Sequence, residues 1–449
     1  MAPRVIRSVT YDIEAAAEVR EDIPFRDAVQ AWARVAASSF GGPAAQIAVI
    51  HRVAVDEKRW LDESAFARAL SFCMLLPGPE AQQLATYVGW RLHGLRGGLT
   101  AGLLFILPGF LSILVLSALY VSAADVALVA ALFLGLKPAV LPIVLEAVSR
   151  LKRRAAGGAV GTSIAVAAFI AIFAFGVPFP VIIVGAGLAG VLADRGTRVP
   201  PAVSWTASRA DVLHTLRTAV VWLMIWLLPV AALLIALGPD HVLARQAAFF
   251  SRVAVVTFGG AYAVLAYVAQ RAVEVFSWLS PSEMLDGLGL AETTPGPLIM
   301  VVQFVAFLGA FRNPGGMDPM VAGVLGSVVT VWVTFAPSFL FILVGAPWVE
   351  RLTSNQRLAA ALAGVTAAVV GVVLNLGVWF TIHTLFTRVS DTSLGPITVP
   401  IPDVPTFSPV VAAIAVIATI LLFRFRVGMQ WVLAVGAALG VVARVLGIA

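Results

Sequence analysis

The chain has 449 residues, 60% of them hydrophobic and 12% charged, with a mean hydropathy of +0.97. Soluble domains carry roughly twice that charged fraction, so a water-soluble enzyme or binding module is excluded, and an all-α polytopic membrane protein with the lipid bilayer as its solvent is expected. The net charge of +6 comes from Lys and Arg in short loops between apolar runs, the positive-inside pattern, so no nucleic-acid partner is expected.

Residues 1–27 are polar, of mixed charge, and lack the apolar core of a signal peptide, which predicts a cytoplasmic N-terminal segment. A first apolar segment covers 28–50 and is broken in mid-course by Phe40-Gly41-Gly42-Pro43. Cys73, the single cysteine, excludes an internal disulfide and a multi-cysteine metal site. Pro77-Gly78-Pro79 then opens a segment at 77–94, whose start carries a carboxylate, Glu80, and two amides, Gln82 and Gln83. Apolar segments follow at 99–122, 125–148, 159–177 and 178–193. A polar, Arg- and Pro-rich linker, 194–216, leads to one connecting span at 217–237. The second half supplies 246–270, 295–311, 318–346, 356–386, 405–423 and 426–446, about thirteen segments in all.

The halves are related. Displaced by 218 residues, the stretch from Arg34 to Pro79 aligns without a gap and is identical at 17 of 46 positions. The identities include Phe40/Phe258, Gly41/Gly259, Gly42/Gly260, Pro77/Pro295, Gly78/Gly296 and Pro79/Pro297. The expected organisation is a cytoplasmic segment 1–27, a first repeat 28–193, a linker and connecting span 194–245, and a second repeat 246–449. One span between two even units turns the second copy over, the inverted-repeat arrangement of transporters whose substrate lies at the repeat interface. Loop charges agree: the basic loops at 149–154, 194–216, Arg351/Arg357 and Arg424/Arg426 fall inside, and the loop 387–404 falls outside. The loop 51–70, with Arg52, Lys58, Arg59 and Arg68, also falls inside if 28–50 and 77–94 are re-entrant rather than fully spanning.

The breaks carry the chemistry. Proline suits the first turn of a helix and not its interior, so Pro79 and Pro297 are expected to start helices. A helix start leaves backbone N–H groups without partners and carries roughly half a positive charge. Inside a bilayer those donors need an acceptor, and two such ends facing each other make an anion site. Glycines at the Phe-Gly-Gly breaks let backbone approach a ligand closely. Lys137 lies in the middle of an apolar segment, where a charge costs about 3 kcal/mol on insertion scales, so it is expected to line a polar cavity. Gln46, Gln82 and Gln83 can donate to anion oxygens or tie helices together. Glu80 and Glu292 stand beside the two breaks, either capping helix starts or carrying protons.

A G-x-G-x-x-G match at Gly185, Gly187 and Gly190 lacks the strand–helix–strand context of a dinucleotide fold and reads as a helix-packing face. There is no H-E-x-x-H, G-x-S-x-G or Walker A motif, and the five histidines are scattered. No cofactor, metal or enzymatic activity is expected.

The stretches "FGGPAAQIAVIHR", "LLPGPEAQQLATYVGW" and "ETTPGPLIMVVQF" resemble the signatures of the chromate ion transporter (CHR) family, long two-domain type, and the resemblance covers nearly the whole chain. It implies a bacterial inner-membrane protein that exports chromate and confers chromate resistance. By motif it carries over Phe40, Gly41, Gly42, Pro43, Gln46, Pro77, Gly78, Pro79, Glu80, Gln82 and Gln83 in the first half, and Phe258, Gly259, Gly260, Pro295, Gly296 and Pro297 in the second. "GLKPAV" adds Lys137. Ala306 departs from the family pattern, and Leu298, Met300 and Val301 stand where the first repeat has Glu80, Gln82 and Gln83, so the expected site is asymmetric. Sulfate has the shape and charge of chromate, so a general oxyanion carrier or an anion channel is the alternative. A homodimer is one assembly compatible with such a carrier.

Overall fold

A bilayer leaves no water to satisfy backbone polar groups, so a spanning chain forms helices or a closed barrel, and the long continuous apolar runs of this chain select helices. The computed structural model describes residues 23–123, 126–155, 158–194, 209–258, 260–395 and 397–448 and is almost wholly helical. The first half runs α1 (Phe25–Ser38), α2 (Gly42–His51) with a π-helical turn Arg52–Glu57, α3 (Glu63–Leu75), α4 (Glu80–Ser122), α5 (Ala127–Arg154), α6 (Ala159–Phe173) and α7 (Phe179–Ala193). The connecting helix α8 spans Arg209–Leu237. The second half runs α9 (Val242–Val256), α10 (Ala261–Gln270) with a π-helical turn Arg271–Val275, α11 (Pro281–Thr293), a 3-10 turn Leu298–Met300 into α12 (Val301–Arg312), α13 (Pro319–Gly345), α14 (Val349–Thr353) and α15 (Gln356–Leu385). An antiparallel hairpin, β1 (Val389–Leu394) and β2 (Ile397–Pro402), precedes α16 (Pro409–Phe423) and α17 (Met429–Val445).

The order of elements repeats, including its irregular parts. Each half has a helix, a break, a ten-residue helix ending in a π-helical turn, and a capped thirteen-residue helix before Pro-Gly-Pro. Even the caps correspond. Asp62 accepts from the Ala65 N–H at 2.7 Å to start α3, and Ser280 forms a capping box with Glu283 to start α11.

By length and composition, five helical stretches suit a membrane crossing: Glu80–Ser122, Ala127–Arg153, Val212–Leu237, Pro319–Trp348 and Gln356–Leu385. The first of these is not straight. His93 (φ −139°) and Gly94 (φ +57°) leave helical geometry, and the chain then doubles back. A methyl group at Gly102 would lie 2.4 Å from Thr86 Oγ1, and one at Gly89 would lie 2.4 Å from the Gly97 carbonyl oxygen. In a straight helix Thr86 and Gly102 would be about 24 Å apart. The arm before the turn is therefore only about 20 Å long, too short for a hydrocarbon core of about 30 Å. In the second half, α12 and α13 form the matching hairpin, with Gly323 against Phe307 and Gly326 against Ala310. The separate segments expected at 77–94 and 99–122 are thus two arms of one hairpin.

The halves are interlocked at two levels. The Gly78 N–H donates to the Thr257 carbonyl at 2.8 Å, and the Gly296 N–H donates to the Ser39 carbonyl at 2.9 Å. These four residues exchange pairwise under the 218-residue displacement, so each Pro-Gly-Pro turn is anchored on the other half's break. Farther out, α5 packs against α16 and α17, while α15 packs against α6 and α7. Glycines bring these helices together: Gly135 meets Gly436 and Gly440, and Gly190 meets Gly364, at distances that no side chain would permit.

Gly78 (φ +130°) and Gly296 (φ +99°) hold conformations that L-residues rarely adopt. A methyl group at Gly78 would also lie 2.6 Å from Gln83 Nε2, and one at Gly296 would lie 3.0 Å from Gly109 Cα. Gly78→Ala and Gly296→Ala should each cost about 1–3 kcal/mol or more, read as a lower Tm of the purified protein in detergent. Gly42→Ala, strained in φ but with open space around it, should lower Tm less than either.

Candidate functional site

The crossing hydrogen bonds fix where the short helices begin. Ser39 and Thr257 are buried, and each hydroxyl donates to its own helix, to the Val35 and Val253 carbonyls respectively, both at 2.6 Å. Their backbone carbonyls are left to receive the glycine N–H groups. The chain then turns through Gly41 (φ +84°) and Gly42 (φ +79°) into α2, and through Gly260 (φ +96°) into α10. Pro79, extended, begins α4.

The first turns of these three helices meet at a cavity of about 50 Å³, lined by Pro43 and Ala44 of α2, Glu80 of α4, Gly260, Ala261 and Tyr262 at the start of α10, and Ala147, Arg150 and Leu151 of α5. On about 10–15 Å³ per water, this space holds roughly three or four waters or one small polyatomic ion. Each helix start brings roughly half a positive charge, and Arg150 adds a guanidinium suited to bidentate recognition of an oxyanion. Glu146, one turn back on α5, lies 3.7 Å from Arg150. Behind the wall, the Tyr262 hydroxyl donates to Glu292 Oε1; Glu292 is buried and its Oε2 has no hydrogen-bond partner.

Of the residues expected at the site, Pro43, Glu80 and Gly260 line the cavity. Gly41, Gly42 and Pro79 form the helix starts beside it. Gly78 and Gly296 make the crossing bonds, and the Pro77 carbonyl accepts from Gln83 Nε2 at 2.7 Å. Pro295 sits against Gly109, and Pro297 caps the 3-10 turn. Gln46 Nε2 donates to the Gly296 carbonyl at 2.7 Å and Gln82 Nε2 to Thr86 Oγ1 at 3.0 Å. The glutamines thus brace the breaks rather than line the cavity. Phe40 and Phe258 are half-buried just before the breaks, and Gly259 lies outside the described residues.

Lys137 does not line the cavity. It is ion-paired to Asp286 at 3.3 Å and donates to Ser282. Arg150 and Tyr262 line the cavity with no motif in the sequence to mark them. Arg150 falls in a stretch that reads as a basic loop, but α5 runs on to Arg154 and brings the guanidinium to the cavity. A signal was present in Glu146, four residues before Arg150, a spacing that marks one helical face.

A second cavity, about 180 Å³, lies at the other end of α10 beneath the β-hairpin. Gln270, Glu274, Asn375, Asp391 and Thr398 supply its polar lining, and among the described residues no Lys, Arg or His lines it.

A sequence model described as "Chromate transporter" matches residues 27–191 and 244–441. The chain is 35% identical over 340 residues to the chromate transport protein of Pseudomonas aeruginosa, covering 75% of this chain and 76% of that one. It is 26% identical over 353 residues to the chromate transport protein of Cupriavidus metallidurans, covering 78% and 80%. An uncharacterized transporter of Methanocaldococcus jannaschii is 26% identical over 345 residues, covering 76% and 81%. No solved structure matches.

If the cavity holds an anion, Arg150→Ala should weaken oxyanion binding to the purified protein at least about tenfold, the effect of losing one charged hydrogen bond. Arg150→Lys should fall between the two. Arg245→Ala, at an exposed position paired with Asp240 and away from the cavity, should leave the affinity within about twofold. Titration with chromate followed by tryptophan fluorescence or calorimetry checks all three.

Proposed function

The chain belongs to the chromate transporter family, and we propose that it is a secondary active carrier, not an enzyme, that moves chromate out of the cytoplasm across a bacterial inner membrane. The observation that carries this reading is the meeting of three helix starts with Arg150 at one cavity. Chromate is a tetrahedral dianion. The backbone N–H groups of α2, α4 and α10 and the Arg150 guanidinium offer it donors from several sides, as broken helices do for anions in other transporters. Neither an ATP motif nor a bound cofactor is needed for this binding.

The reciprocal bonds from Gly78 to Thr257 and from Gly296 to Ser39 support the inverted-repeat reading, because they relate the halves by an exchange of equivalent positions. The basic residues of α5 at 150, 152 and 153 support a cytoplasmic-side Arg150 cavity under the positive-inside bias, the orientation that also has the N-terminus inside. At the far end of α10, Glu274 and Asp391 join the negative end of the helix dipole. A dianion is attracted at one end of this helix and repelled at the other, which favours loading inside and release outside.

Glu80 in the wall and Glu292 behind Tyr262 oppose a bound dianion while ionised. Proton uptake by either carboxylate strengthens anion binding, and this is how the site itself senses pH. Sulfate shares the geometry, so selectivity between the two oxyanions must come from size and desolvation within about 50 Å³.

Chromate uptake into inside-out vesicles tests the reading. Uptake should require a proton gradient or membrane potential, and Arg150→Ala should reduce it at least about tenfold. Weak inhibition by excess sulfate supports a chromate exporter; complete inhibition makes the protein a general oxyanion carrier. Flux that never exceeds electrochemical equilibrium makes it a channel.

A further inference from the structure

The ion pair between Lys137 and Asp286 plays no part in the anion cavity, yet it is costly to keep. Asp286 lies in α11 with its side chain 3% exposed, and Lys137 lies in α5 at 24%. Charges taken out of water inside a bilayer persist only when paired and are retained where they serve ion movement. The pair, at 3.3 Å, joins the first half of the chain to the second. Tyr120, from the long arm of α4, donates to Asp286 Oδ2 at 2.8 Å, and Lys137 also donates to Ser282. Asp286 Oδ1 faces the ammonium but has no hydrogen-bond partner of its own. The other charged groups facing this point are Glu283 of α11 and Arg312 of α12, which pair with each other, Arg312 Nη1 to Glu283 Oε2 at 2.9 Å. Helices α15 and α17 also pack on α11 and place no ion-pair partner against Asp286 among the described residues.

Of the two helices that carry this pair, α5 lines the anion cavity and α11 stands behind its wall. On α5, Lys137 stands thirteen residues, about 20 Å, before Arg150. On α11, Asp286 stands six residues, about 9 Å, before Glu292, which holds Tyr262 in the cavity wall. Joining Lys137 to Asp286 therefore fixes the two rods whose other ends carry Arg150 in the cavity and Glu292 behind its wall. Releasing the pair lets one shift against the other.

We propose that Asp286 is the proton-binding site that powers this carrier, with Lys137 as its counter-ion, and that protonation of the carboxylate unlocks α5 from α11. This rests on the transport reading above. Oδ1 takes a proton from hydronium, releasing water, and becomes a neutral carboxylic acid; Lys137 keeps its charge, and the attraction between the helices is lost. The bound ion is a proton and not a metal cation. A metal requires several oxygen ligands, whereas here one carboxylate is surrounded by an ammonium, a phenol and a hydroxyl. The site differs from Glu80 and Glu292, whose charges act on the anion's affinity. Asp286 acts on the position of the helices.

The test uses the full chain in proteoliposomes carrying a pH-sensitive dye, comparing wild type, Asp286→Asn, Lys137→Gln and the double variant. Two readouts are taken: chromate–chromate exchange with no gradient, and chromate accumulation driven by a pH gradient with its accompanying proton flux. Asp286→Asn and the double variant should keep exchange within about threefold of wild type, while accumulation and proton flux fall at least about tenfold. Accumulation and proton flux at wild-type levels in Asp286→Asn overturn the proposal. So does a double variant that regains the accumulation lost in the single variants, because that marks a pair needed only for packing. Should Asp286→Asn fail to fold, Asp286→Glu decides: a displaced pH profile of accumulation supports the proposal, and an unchanged profile overturns it. Wild-type protein that moves chromate without protons overturns this inference alone, whereas wild-type protein that moves no chromate removes the transport reading with it.

Discussion

The structure depends on two hydrogen bonds that cross between the halves, from Gly78 to Thr257 and from Gly296 to Ser39. In water such bonds contribute about 1 kcal/mol each. In a bilayer they decide whether a helix can be broken at all, because a freed N–H or C=O has no solvent to turn to. Each break exposes a carbonyl at one point and an N–H at another, and neither half can satisfy both by itself. The exchange closes both breaks at once and brings the starts of α2, α4 and α10 to the same level. The cavity follows from that placement.

The pattern of charge is set by the same geometry. Helix starts are positive because their N–H groups lack partners within the helix, and three of them converge with one guanidinium. In the proposed carrier, Glu80 and, behind Tyr262, Glu292 would keep this cluster from being a permanent anion trap. A carrier must release what it binds. A site balanced between donors and carboxylates can be weakened by the loss of one or two protons, whereas a purely basic site would need a large movement.

Much of this was legible in the sequence, for definite reasons. The repeat could be read because its identities fall on Gly, Pro and Phe residues at the breaks, where few other residues can serve. The starts of α4 and of the 3-10 turn before α12 follow from proline chemistry alone. The β-hairpin between α15 and α16 reads in the sequence only as a loop, since β1 has no apolar alternation and Pro400 and Pro402 interrupt the alternating β2. The turn at His93–Gly94 carries no proline, and its glycine is one of many. Arg150 was hidden because α5 outlasts its apolar stretch, so a residue that looked like loop charge is helical. The partner of Lys137 could not be found from pattern, since Asp286 is 149 residues away in the other half and only the tertiary fold joins them.

The packing between the halves also limits how the molecule can move. Because α5 is held by α16 and α17, and α15 by α6 and α7, neither half can swing as a separate body without tearing glycine-mediated contacts in the other. Backbones that meet as closely as Gly135 and Gly436 tolerate sliding along the helices better than separation, because separation forfeits every dispersion contact at once. The short arms of the hairpins are buried along their length, Glu80–Gly89 and Val301–Ala310, and packed on their long arms, so any movement of them is small. Alternating access in such a frame is most cheaply achieved by small shifts of the broken helices inside a fixed clasp. A shift of α11 against α5 by a few ångströms would then move Glu292 and Arg150 relative to the helix starts without unpacking the outer helices.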